Sequence, residues 1–168
     1  MFLPNLTEEE RGFVVALVYR VGMSISHSDD VDTAHDDRLE VKALEKTLKN
    51  LAASGRIPHM TRLICQAVLD NHKHWEEWEQ HTLTVLSDCD KALAILRTRR
   101  KKQELMDYKR LLLTVANAVA GAYDEYHEVP EKRGFLSFLI PKSQNKDTFL
   151  NISVSEDAAI TNLKQALR

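Results

Sequence analysis

Between Asp29 and Glu40 the chain carries six carboxylates, Asp29, Asp30, Asp32, Asp36, Asp37 and Glu40, with Arg38 and His35 among them. Clustered carboxylate oxygens suit a hard cation such as calcium or magnesium, because the ion relieves their mutual repulsion. An EF-hand is excluded by register. Counting from Asp29 puts Glu40 at position twelve, but Val31, Thr33 and Ala34 fall at three, five and six. Counting from Asp30 corrects position three and spoils five, six and twelve with Ala34, His35 and Val41. On spacing alone, a solvated loop whose acids favour the N-terminus of the next helix is the simpler reading.

A second acidic group, Asp124, Glu125, Glu128 and Glu131, follows a long apolar helical stretch. Acids at a helix C-terminus oppose its dipole. The placement calls for a cation or a basic partner, unless it is simply a fraying surface end.

Three further clusters invite chemistry. In NHKHWEEWEQH, His74, Glu77 and His81 fall at i, i+3 and i+7, roughly one helical face, where a fourth ligand would complete a transition-metal site. Trp78 and Val85 share that ridge, so a polar edge beside a tryptophan-bearing core is simpler. No HExxH spacing is present. RTRRKK (97–102) has five bases in six residues but no aromatic platform or nucleic-acid motif beside it, which favours a solvated basic junction. Cys65 and Cys89 form no CxxC and no disulfide framework, and are expected as buried reduced thiols. GxSxG, P-loop and GxGxxG motifs are all missing, and no Ser, His and Asp order suggests a triad.

The elements that must position these groups read as helices. Thr7 and Glu10 have capping-box spacing, and Val14, Leu17, Val18, Val21 and Ile25 follow as a stripe to about Ser26. A second helix is expected over 36–53 with Val41, Leu44, Leu48 and Leu51 inward. Gly55 terminates it and Pro58 opens a third, bearing Met60, Leu63, Ile64, Ala67 and Val68. A fourth is expected from about Lys73, with Trp75, Trp78, Thr82, Val85 and Leu86 on its apolar side. A fifth would be capped by Ser87 or Asp88 and carry Leu93 and Leu96. The longest stretch, Gln103 to Tyr126, places Leu105, Tyr108, Leu112, Val115, Val119, Ala122 and Tyr126 on one face. Its alanines and Gly121 invite close neighbours, so it is expected through the middle of a bundle. GFLSFLIP (134–141) reads either as a turn tucked on the core or as an exposed docking segment. Ser153 and Glu156 open a last helix with Ala159, Ile160, Leu163 and Leu167 inward.

Composition sets the class. The chain has 168 residues, 43% of them hydrophobic, with 5 Gly and 4 Pro. That is enough for one domain with a sizeable core and argues against disorder. A net charge of −2 gives no global attraction to nucleic acid or an acidic membrane. No 18 apolar residues run together, and the N-terminus lacks a signal-peptide pattern. The expectation is a soluble cytoplasmic protein, all-α, a single-domain bundle of about seven helices.

The two ends of the chain look alike. An apolar helix ending in small residues, an acidic exit and a helix opening on a carboxylate occur at about 7–55 and again at 103–168. This layout resembles the TerB-like family, the tellurite-resistance-associated helical domains. That family's exit reads roughly Ala-x-Asp-Gly-x-hydrophobic, followed by Glu at the next helix start. Ala122-Tyr123-Asp124 is similar, with Glu125 in place of the glycine, and Ile152 to Glu156 supplies the later half after a long insertion. In the first copy Asp29, Asp30 or Asp32 stands for the Asp, and Asp37 or Glu40 for the Glu.

The resemblance implies an all-α fold whose carboxylates from both copies converge on a metal-binding surface, in a stress-response protein without catalysis. The implied ligands are Asp29, Asp30, Asp32, Asp37, Glu40, Asp124, Glu125 and Glu156, around a divalent ion (calcium, magnesium or zinc). The alternative is a metal-free adaptor docking a protein partner through 134–141 or the Trp75/Trp78 helix. A helical-bundle hydrolase using His74, Glu77 and His81 is the third reading.

Overall fold

The computed structural model describes residues 3–28, 36–121 and 154–168, with 36–38 described by their backbone alone. Among them stand seven α-helices and no strand: α1 (Glu8–Ser26), α2 (Asp36–Ala53), α3 (His59–Asp70), α4 (Trp75–Glu79), α5 (Val85–Arg99), α6 (Lys102–Ala120) and α7 (Val154–Ala166). The protein is an all-α bundle.

α1 begins where the sequence places it. The Thr7 hydroxyl accepts from the Glu10 N–H at 3.1 Å, and Glu10 Oε2 accepts from the Thr7 N–H at 2.8 Å. Two of the orphan donors of the first turn are thereby satisfied. From Val14 to Met23 the helix is buried on every side, each residue lying in the interior. A helix enclosed all round belongs at the centre of a bundle. α1 packs against each of the other six helices, whereas α6 packs closely against five. The centre is therefore α1, and the long helix lies directly beside it.

Two contacts fix that pairing. Tyr108 on α6 is fully buried and donates its hydroxyl to the Val14 carbonyl at 2.8 Å. Gly22 on α1 lets Leu44 of α2 and Val115 of α6 approach so closely that a Cβ there would lie 3.0 Å from Leu44 Cδ1 and 3.2 Å from Val115 Cγ1. Leu44, Leu48 and Leu51 are buried as expected, with Val41 packed at the edge of the core. On α3 Met60, Ile64, Ala67 and Val68 face inward, and on α7 Ile160, Leu163 and the following Leu167 do. Each large apolar side chain so enclosed contributes about 1.5–3 kcal/mol relative to exposure.

Three boundaries differ from expectation. The expected fourth helix is broken: a tight turn at His72–His74, five helical residues, and a second tight turn at Thr82–Thr84. Trp75 and Trp78 are anchored on Tyr19, with Trp75 stacked at 4.8 Å and Trp78 tilted at 6.1 Å. Trp75 Nε1 also donates to the Val68 carbonyl at 3.0 Å. The His81 carbonyl, which a continuing helix would use, accepts from Arg20 instead at 2.6 Å. α5 therefore starts at Val85, earlier than Ser87 or Asp88, and leaves Leu86 44% exposed and not on an apolar face. α6 closes at Ala120 with Gly121 as its cap, the Gly121 N–H donating to the Asn117 carbonyl at 3.1 Å. Ala122 and Tyr126, expected on that helix, and the segment 134–141 lie outside the described residues.

Candidate functional site

The acidic exit of α1 is closed by a side-chain pair. Ser26, in the last turn of α1, donates its hydroxyl to Glu40 on α2, and the two residues are 0% and 1% exposed. A carboxylate so far from water is tolerable only when it is hydrogen-bonded. The bond ties the end of α1 to the start of α2 across 14 positions. Glu156 likewise lies near the opening of its helix, α7. It is 2% exposed, in the first turn, where the helix dipole favours a negative charge.

The remaining acids of the expected set fall elsewhere. Asp37 is in the first turn of α2, described by backbone only, and Asp29, Asp30, Asp32, Asp124 and Glu125 lie outside the described residues. Among the described residues no group of three or more His, Cys, Asp or Glu side chains is arranged to hold a metal ion.

The histidine run does not assemble into a ligand set there. His74 Nδ1 meets Glu77 Oε2 at 3.2 Å on the surface. His81 lies beyond the end of α4, in the turn that breaks the expected face, and it offers its backbone carbonyl to Arg20. The third glutamate of that stretch, Glu79, reaches back to α1, with Oε1 3.0 Å from His27 Nε2 and Oε2 accepting from Tyr19 at 3.5 Å.

The basic junction is solvated as expected, with five of its six residues exposed and only Arg100 part-buried. Arg100 donates to Glu104 at 2.5 Å and to the Pro4 carbonyl at 2.9 Å, and Arg99 lies 3.6 Å from Glu10. Both cysteines are buried and reduced. Burial pushes the Cys65 thiol up to about 12, and burial together with the nearby Asp90 and Asp88 charges does the same for Cys89. Neither is poised as a nucleophile.

The most developed polar network was not apparent from motifs. Arg20 on α1 and Asp88 on α5 pair at 2.5 Å, each side chain 7% exposed. The same Arg20 nitrogen also donates to Thr84 Oγ1 at 2.8 Å. Asp88 further accepts from Thr84 at 2.7 Å and Lys91 at 2.9 Å. Burial alone would raise the Asp88 carboxyl, but the bonds from Thr84, Lys91 and Arg20 outweigh it and hold the group at about 2. The available signal was Arg20 itself, a lone charge in the apolar run FVVALVYRVGM. With its partners it locks α1, α5 and the broken stretch before α5 together, which is a structural task.

Fold and site define an all-α helical bundle with a buried serine–glutamate closure at its first helix exit. Comparison with family models, curated proteins and solved structures finds no match to this chain.

Proposed function

We propose that the protein is a non-enzymatic binding domain resembling the TerB-like, stress-response type, whose two acidic helix exits take up a divalent cation. The observation that carries this reading is the paired burial of Glu40 and Glu156, 1% and 2% exposed. Glu156 is the residue that the resemblance places after the second exit, and Glu40 is one of the two, with Asp37, that it allows after the first. Both carboxylates are withdrawn from water near a helix opening, Glu40 held there by Ser26, which gives the two openings a matched feature. In this reading Asp29, Asp30 or Asp32 and Asp124 supply further oxygens, while Glu40 and Glu156 set the two ends of the site. A hard cation with oxygen ligands fits that donor set better than a thiolate-seeking metal.

The test is chelation followed by calcium, magnesium and zinc titrations, read by calorimetry and thermal unfolding. Saturable binding that Asp124→Asn weakens is the expected result. No heat and no change in Tm at millimolar metal sinks the reading.

The metal-free adaptor is the second reading, and one surface observation favours it. Leu83 is 98% exposed and Leu86 44%, three positions apart where the second tight turn runs into α5. The tryptophans themselves are committed to Tyr19, so a docking patch there centres on these leucines.

A further inference from the structure

A cleft of about 540 Å³ opens between the α2–α3 turn and α6. Its volume lies in the range of small-molecule sites, roughly 300–1,000 Å³. One wall is apolar, made by Leu51, Ile57, Pro58 and Leu111. Thr61 lines it too: the residue is 5% exposed, and its hydroxyl has no hydrogen-bond partner among the described residues. A buried hydroxyl without a partner costs about 1–3 kcal/mol, which a ligand that reached it would recover.

The charges around the cleft say what enters. Pro58 is the N-cap of α3 and Thr61 its third residue, so this helix end faces the cleft, and no side chain caps it. Uncapped first-turn N–H groups and the positive end of the dipole attract an anion. Arg56 lies at the same mouth, exposed and without an ion-pair partner among the described residues. Opposite, Asp107 is 7% exposed but tied back, its Oδ1 accepting from Gln103 at 2.9 Å and lying 3.5 Å from Arg110 Nη1. Two guanidinium groups against one carboxylate leave one positive charge uncompensated along the lining.

We propose that this cleft binds a small amphipathic monocarboxylate. Its apolar body lies against Leu51, Ile57 and Leu111, and its carboxylate sits at the α3 N-terminus between Arg56 and the Thr61 hydroxyl. An uncharged apolar ligand would leave the helix end and Arg56 unused. A small anion without a tail would leave the apolar wall wet.

The experiment titrates the full chain with sodium octanoate, sodium acetate and 1-octanol, by calorimetry and by amide chemical shifts. Octanoate is expected to bind saturably at one site, with shifts concentrated at 56–61 and 107–111. Acetate and octanol bind at least about ten-fold more weakly, each lacking half of the recognition. Arg56→Gln, at an exposed position, weakens octanoate about ten-fold with the circular dichroism unchanged, and Arg97→Gln on the exposed face of α5 does not. Thr61→Val weakens it in the same direction. Should that variant fail to fold, Arg56→Gln decides alone. The proposal is overturned by unsaturable octanoate binding, by octanol binding as tightly, by shifts elsewhere, or by unchanged affinity in Arg56→Gln.

Discussion

Arg20 and Asp88 meet at 2.5 Å in the interior, joining the central helix α1 to α5 across 68 positions of sequence. Removing one member of such a pair strands the other charge in the core. Arg20→Ala is expected to cost about 3–5 kcal/mol in denaturant unfolding. Replacing both residues by apolar ones of similar volume costs much less, because no charge is left unpaired.

The same pair sets the acid limb of stability. Asp88 is held at about 2 against an ordinary 3.8. A carboxyl lowered by folding contributes stability that is fully present above pH 3.8 and lost as pH falls through about 2. The contribution is of the order of 2 kcal/mol. Unfolding curves recorded across that window should show the loss in the native protein and a flatter profile in Asp88→Asn.

Two glycines of α1 predict opposite signs. At Gly22 an added methyl would press on Leu44 and Val115 at 3.0–3.2 Å, so Gly22→Ala should destabilise by about 1–3 kcal/mol. Gly12, on the exposed side of the same helix, has nothing within 4 Å of an added Cβ. Gly12→Ala should stabilise by about 0.5–1 kcal/mol, through lower entropy of the unfolded chain. Thermal melts of the two single variants decide it, and equal signs would refute the close packing.

The thiols report on the core. Cys65 and Cys89, both pushed up to about 12, should resist alkylation in the folded protein and react fully once it unfolds. A thiol raised by folding contributes stability that is intact below its ordinary 9.0 and declines as pH rises from there toward 12. Labelling rates followed against pH should therefore rise together with global unfolding and not before it.

Glu40 separates closure from cation binding. A glutamine can still accept from Ser26, so Glu40→Gln should keep the fold while losing the charge. Under the proposed function the variant folds and its melting temperature no longer responds to a divalent ion. An undiminished response would remove Glu40 from the ligand set.

The sequence by itself determined the helices. The capping box at Thr7 and Glu10, Pro58 before α3, and stripes such as Leu44, Leu48 and Leu51 are local signals, each read within a few residues. They were legible because helix periodicity and capping operate over one or two turns. It also marked Glu40 and Glu156, though not that both would be buried. Only the tertiary structure decided that α1 is the enclosed centre, since Arg20 inside an apolar run becomes tolerable only when Asp88 arrives from α5. It likewise broke the stretch around His74 and His81, because a tryptophan anchor on Tyr19 and an arginine on a carbonyl outweigh helical propensity. The cleft at Thr61 and Asp107 has the same origin: its walls come from helices separated in sequence, and no local spacing encodes which of them meet.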